Sequence, residues 1–339
     1  MARKKSRKRT HSRRLALKIG VAAVVAFVAW ATVGVWYVHH PRDWLAQNRE
    51  SWPRVLTAPL LWIGNPVGDL TDALDWTGHD AVYEYDSDAP AGSVLFAGAP
   101  RRVGAPAPDD LRVLDRGEFL VGWSDRLRHP VWCAYHVTRE AKFDVGTRPG
   151  FRKDRSVAAA PSPSDYTRSG YDRGHMVPNY AIVTRFGEEA RRRTFLMTNI
   201  APQTPALNRG VWRELEHRIA DLWTARYGEI WVVVGCISSG NETVSGTNID
   251  VPNAFYQVIL AQEGMDVRVL ATVFDQDVAW GAWAARSIVS VDELEKMTGL
   301  DFNPDLPAFI QDPLEADLPT RLWPIRFRDL FSMVALWFM

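Results

Sequence analysis

Two stretches of this chain, residues 131–137 and 230–235, are apolar almost without interruption. A strand with one wet face alternates polar and apolar side chains, so runs of this kind belong to central strands covered on both sides. Further strand-like runs stand at residues 119–123, 255–260 and 267–274. Between the two buried runs lies one helical period, residues 205–227. The order strand, strand, long loop, helix, strand, strand predicts an α+β domain built on a largely antiparallel sheet with flanking helices. With 339 residues, 47% apolar and 24% charged, the chain can bury a substantial core, and it is neither collagen-like nor disordered.

Charge is distributed unevenly. The 40 basic and 40 acidic residues cancel overall, yet residues 1–18 hold nine basic residues and no acid, which leaves 31 basic against 40 acidic afterwards, a formal −9. Bulk positive charge therefore cannot be how the rest of the chain holds an anionic polymer; phosphate binding has to be local. Directly after the basic tail, residues 19–38 carry no charge, and at about 1.5 Å per residue they are long enough to cross a bilayer core of about 30 Å. The basic flank orients such a span with the tail in the cytoplasm and the remainder periplasmic or extracellular. Two other fates stand beside the retained anchor. Ala29-Trp30-Ala31 has the form of a signal-peptidase site and Arg13-Arg14 that of a twin-arginine signal, either giving a secreted protein; the Arg- and Ser-rich, acid-free start also suits a mitochondrial presequence. The expected organisation is a basic tail (1–18), the anchor (19–38), a juxtamembrane segment (39–91), a catalytic domain (92–312) and a C-terminal tail (313–339) that lies on the membrane or docks as a last helix on residues 50–66.

The helical period can be tested by geometry. At about 100° per residue, with Val211 at zero, Leu222, Leu215, Ile219, Trp212 and Trp223 fill an arc of about 120° that must be the buried face. Asn208 falls near 60°, inside that arc, and Glu216 near 140°, on its edge, by the same estimate. An amide and a carboxylate on the core side of one helix need partners such as a metal, its waters or another side chain. Each has a plain alternative: Asn208 as the helix N-cap, Glu216 as a solvated glutamate. Asp172-Arg173-Gly174-His175 sets an acid, a cation and an imidazole side by side, although a lone histidine is more often structural. Arg191-Arg192-Arg193 reads as a solvated helix face. Cys133 and Cys236 fall in the two buried runs and are either one disulfide or two buried thiols.

Taken together, Asp172 to His175, Thr198-Asn199-Ile200-Ala201-Pro202-Gln203, and Asn208 through Trp212 to Glu216 resemble the DNA/RNA non-specific endonucleases, a family of ββα-metal nucleases. Residues 118–138, the segment Phe151-Arg152-Lys153-Asp154 and residues 291–302 are similar to that family's opening hairpin, its approach to the motif and its closing helix. The resemblance implies hydrolysis of DNA and RNA phosphodiester bonds, with contacts to the phosphate backbone. It implies His175 as general base, Asn208 as the direct ligand of one Mg²⁺ (Mn²⁺ able to substitute) and Glu216 holding that ion through water. Asn199 would orient the site, Asp172 would buttress the loop, and Arg173, with Arg148 as second choice, would contact phosphate. Family members often carry an arginine one turn after the glutamate, where this chain has Ala220. Two other activities fit the same residues: a phosphodiesterase of this fold acting on a small substrate, and a catalytically idle adaptor in a cell-envelope complex.

Overall fold

The computed structural model describes residues 79–84 and 93–325, all within one compact unit, Asp75–Leu330. In chain order the strands are β1 (Ala81–Glu84), β2 (Arg101–Arg102), β3 (Arg112–Asp115), β4 (Phe119–Ser124), β5 (His129–Thr138), β6 (Asp172–His175), β7 (Ile200–Gln203), β8 (Glu229–Ile237), β9 (Ala254–Glu263), β10 (Asp266–Asp275), β11 (Ile288–Val289) and β12 (Leu300–Asp301). The main sheet runs β1-β10-β9-β8-β5-β4-β3, with β11 also on β10. All its pairings are antiparallel. Strand β1 lies ahead of residue 92, so the sheet extends into the stretch expected to be juxtamembrane. At the other end the packed chain continues to Ile325, with Arg321 bonded to Asp80 and Leu322, Trp323 and Ile325 buried.

Strands β5 and β8 pair at the centre, Cys133 opposite Val234, and residues 131–137 and 230–235 are buried throughout. Alternation sorts their side chains between two layers. Trp132, Ala134, Val233, Tyr256 and Val258 join a core with Leu294 and Leu314, which belong to helices α3 (Val291–Thr298) and α4 (Ala308–Ala316). On the opposite face Phe255 and Phe274 meet Trp212 edge-on. Helix α3 starts at Ser290, whose hydroxyl accepts from the Glu293 amide, a standard N-cap. Cys133 and Cys236 are both free buried thiols; they are two positions out of register, so the disulfide alternative is not formed.

Helix α1 (Asn179–Thr194) follows β6. It carries Arg191 to Arg193, and here the expected solvated face is corrected. Arg191 is buried and donates to the Asn179 side chain and to the carbonyls of Gly146 and Thr147. Consecutive helix residues point about 100° apart, so three arginines in a row cannot share one face. Helix α2 spans the expected residues 205–227, with wide π-helical turns at Leu207–Val211 and Arg218–Trp223. Val211, Trp212, Leu215, Ile219, Leu222 and Trp223 are all buried, as the arc requires. The second wide turn exposes the Ala220 carbonyl to Arg185 and to the Thr224 hydroxyl. Among the described residues no helix is long and apolar enough to cross a membrane; the expected span at 19–38, and the tail beyond residue 325, lie outside them.

His129 on β5 is fully buried, its Nε2 3.1 Å from Asp250 and 3.2 Å from the Ser238 hydroxyl, and its Nδ1 2.7 Å from the Pro130 carbonyl. Removing one member of a buried polar pair strands the other, so His129→Ala is expected to cost about 3 kcal/mol in urea unfolding; a loss below about 1 kcal/mol contradicts that role.

A second expectation concerns pH. Burial pushes the Glu295 carboxyl up to about 7, with Asp301 and Asp292 adding and the Phe302 amide and Lys296 opposing. Burial likewise pushes Glu315 up to about 8, with Glu295 adding and Asn303 and Gln311 opposing. Both folded values exceed the unfolded one of about 4.3. The folded state therefore holds extra protons, and stability is lost as pH rises through the folded values. Melting temperature should fall from about pH 4.5 to 8, and Glu315→Gln should fall less steeply over that range; parallel curves would refute the assignment.

Candidate active site

Strands β6 and β7 form a separate two-stranded ribbon, Asp172 opposite Gln203 and His175 opposite Ile200, and α2 follows it directly. This is a ββα unit whose first strand is the Asp-Arg-Gly-His segment itself. Alternation places Arg173 and His175 on one face of β6 and Asp172 and Gly174 on the other.

The face bearing His175 is aromatic. The imidazole packs against Phe151 and, edge-on, Phe195, with ring centroids 5.3 and 4.8 Å away. Its Nε2 is buried without a hydrogen-bond partner. Burial, reinforced by the Arg148 charge, lowers its pKa to about 3, so the ring is neutral through the physiological range. The Arg148 guanidinium lies over Phe151 and Phe195 at 5.5 and 5.2 Å. Arg173 also stacks on Phe151, yet its Nε and one Nη donate to the Pro163 carbonyl at 3.0 and 2.6 Å. Those donors are engaged within the protein. Arg148 is exposed beside His175.

On the other face Asp172 gathers two groups from α2. Asn208 donates from Nδ2 to its Oδ2 at 2.9 Å, and Arg209 donates to both oxygens at 2.7 and 2.5 Å. The Arg209 bond holds the Asp172 carboxyl below its ordinary range, with partial burial opposing and Asn208 assisting. Asn208 is not the N-cap: its amide already bonds the Thr204 carbonyl, and the Thr204 hydroxyl accepts from Leu207. With Nδ2 committed to Asp172, the oxygen of the Asn208 amide is the end left for a ligand. Glu216, two turns along α2, is half-buried. Burial pushes its carboxyl up to about 8 against the opposing influence of the Trp212 indole and Arg213.

Asn199 is fully buried. Its oxygen accepts from the Val177 amide at 2.9 Å, and its nitrogen donates to the carbonyls of Val177 and Thr194, each at 3.0 Å. It pins the chain two residues past His175 to the end of α1. Nearby, Thr198 donates to Asp154 at 2.7 Å, and Arg116 pairs with the same carboxylate. The structure thus forms two clusters, His175 with Arg148 and Arg173, and Asp172 with Asn208 and Arg209. They stand at opposite ends of β6, about 10 Å apart at about 3.3 Å rise per residue. Sequence reasoning missed Arg209, since nothing in its type or position distinguishes it from a solvated helix arginine. It also left Phe195 unremarked, because apolar residues before a strand usually belong to the core.

A hard cation fits these donors. A neutral amide oxygen and one carboxylate are oxygen ligands suited to Mg²⁺ that retains most of its waters, and a carboxylate raised by burial calls for positive charge.

Gly174 is required by contact: a Cβ there would lie 2.0 Å from the Gln203 side-chain oxygen, and Gln203 is fully buried. Gly174→Ala should destabilise by about 2 kcal/mol through overpacking, and less in a Gln203→Ala background, as read by thermal melts of the four-variant cycle.

The sequence profile of the DNA/RNA non-specific endonucleases matches residues 97–309. A nuclease of Nostoc sp. is 30% identical over 222 residues, 62% of this chain and 79% of that protein. The mitochondrial nuclease EXOG of Mus musculus is 33% identical over 199 residues, so this chain covers 53% of its length. The mitochondrial endonuclease G of Bos taurus is 27% identical over 241 residues, with 80% of that protein covered. The chain therefore spans most of some relatives and about half of the EXOG relative. A solved structure of EndoG in complex with EndoGI superposes with a TM-score of 0.53 at 27% identity, over 60% of this chain and 90% of the other. With the ββα unit in place and the profile covering most of the chain, this protein belongs to the DNA/RNA non-specific endonuclease family.

Proposed function

We propose that the domain is a Mg²⁺-dependent endonuclease that hydrolyses DNA and RNA phosphodiester bonds without reading base sequence. The observation that carries this reading is the Asp172–Asn208 hydrogen bond, which commits the amide nitrogen and leaves the oxygen for a cation. Asn208 would hold the ion directly and Glu216 through water. Once bound, the ion supplies Lewis-acid stabilisation of charge on the phosphoryl oxygens.

The chain's own residues do the rest. His175, neutral at working pH, accepts the proton of the attacking water on Nδ1, since Nε2 is buried. An anionic phosphate beside the ring raises the imidazole's basicity again, and pairing of Arg148 with that phosphate removes the charge that depressed it. The base therefore strengthens when substrate is present. Arg148 leads in phosphate contact, with Arg173 fixing the floor of the site through Phe151 and Pro163. Contacts to phosphate carry no sequence information, so breadth of substrate follows. The acidic body implies modest affinity with strong salt dependence. The placement we propose is beyond a membrane, tethered by residues 19–38; the relatives named mitochondrial favour instead the presequence reading of the same segment, and the N-terminal sequence of the mature protein separates the two.

Plasmid nicking by the full chain should appear with Mg²⁺, vanish with EDTA, and fall by about two to four orders of magnitude in His175→Ala. Asp172→Asn should lose about 10- to 100-fold by freeing the Asn208 amide. Undiminished nicking in His175→Ala removes the mechanism. Hydrolysis of bis-p-nitrophenyl phosphate without nicking selects a small-substrate phosphodiesterase, and inactivity on both selects the adaptor.

A further inference from the structure

Trp280 is 52% exposed, and no other tryptophan among the described residues is exposed to that degree. It stands on the loop after β10, and that loop is fastened to the ββα unit by Gln276. The Gln276 side-chain oxygen accepts from the Thr204 amide at 2.9 Å, and its carbonyl accepts from the Thr204 hydroxyl at 2.6 Å. Its Nε2 donates to the Pro202 carbonyl at 2.8 Å and the Pro252 carbonyl at 3.1 Å. Thr204 joins β7 to α2, so the base of the loop moves with the candidate site.

The indole rests on α2 where the helix has no side chain. A Cβ at Gly210 would begin 3.9 Å from Cε3 of Trp280, with nothing closer. Gly210 is two residues beyond Asn208 and adjacent to Arg209. Two positions turn a helix by about 200°, so the ring stands on the side of α2 away from Asn208, about one helix diameter (about 10–12 Å) or slightly more from its oxygen. At about 3.4 Å per nucleotide along one strand, this is three or four nucleotides from the scissile phosphate.

We infer that Trp280 is a stacking platform for a nucleobase three or four nucleotides from the cleaved bond, on a single strand that passes over the exposed face of the indole beside α2. The inference rests on the nuclease reading above and adds to it a contact with bases. The chemistry favours a base over a phosphate: the loop carries exposed Asp275 and Asp277 and no basic residue before Arg286, so it repels the backbone while offering a flat π-face. Every base has such a face, so the contact tolerates all sequences.

The test is binding of full-length protein to two fluorescein-labelled 12-mers, oligothymidylate and the same backbone with abasic sites, in EDTA at fixed ionic strength. Trp280→Leu and Trp280→Ala should each weaken oligothymidylate binding about tenfold, Trp280→Phe should stay within about threefold of wild type, and the abasic strand should bind all variants alike. Trp280→Leu keeps apolar bulk on Gly210 should the alanine variant fold poorly. Unchanged oligothymidylate affinity in Trp280→Leu, or equal losses on both strands, overturns the stacking role. Cleavage of oligothymidylate by wild type in Mg²⁺, run in parallel, reports on the nuclease reading separately, because the binding result needs no turnover.

Discussion

The candidate site depends on one carboxylate. Asp172 sits at the start of a four-residue strand and accepts three charge-assisted or amide bonds from the first turn of α2. Without it, Asn208 and Arg209 would lose the bonds that join the first turn of α2 to β6, and apolar packing, being non-directional, cannot orient an amide. The bidentate pairing with Arg209 fixes the carboxylate plane, and the remaining lone pair then selects which end of Asn208 turns outward. The oxygen end of the Asn208 amide is thus aimed by an ion pair on its nitrogen side. Surface ion pairs usually contribute little to stability; this one contributes geometry.

Behind that clamp, the sheet acts as a rigid floor. Strands β5 and β8 are buried on both faces, and α2 lies on one of them with Trp212 against Phe255 and Phe274. Asn199 and the Asp154–Thr198–Arg116 set then tie the chain around β7 to α1 and to the segment before the motif. These buried groups bond one another, Arg116 Nε alone being left without a partner, and so favour one arrangement of the ribbon. His175 inherits its position from them.

Electrostatically the molecule works by local exception. The body beyond the first 18 residues is acidic, yet Arg148 and Arg173 converge on Phe151 beside a neutral imidazole. Aromatic faces hold both guanidinium groups without neutralising them, which keeps positive charge available next to a desolvated ring. Trp280 extends the same economy to the far side of α2, where an apolar surface replaces charge as the means of contact.

The strands, helix α2 and its buried arc were legible in the sequence because hydrophobic periodicity is imposed by burial and survives in any arrangement of elements. The motif residues Asp172, His175, Asn208 and Glu216 were legible as chemistry, since each type is costly where the pattern places it. Which arginine stands free, why Arg191 is buried, and which end of the Asn208 amide faces outward were not legible. Those outcomes depend on partners 10 to 45 residues away in the chain, such as Pro163 for Arg173, Asp172 for Asn208 and Gly146 for Arg191. Local sequence carries periodicity and residue chemistry; hydrogen-bond direction and charge pairing arise only when the fold brings distant groups within about 3 Å.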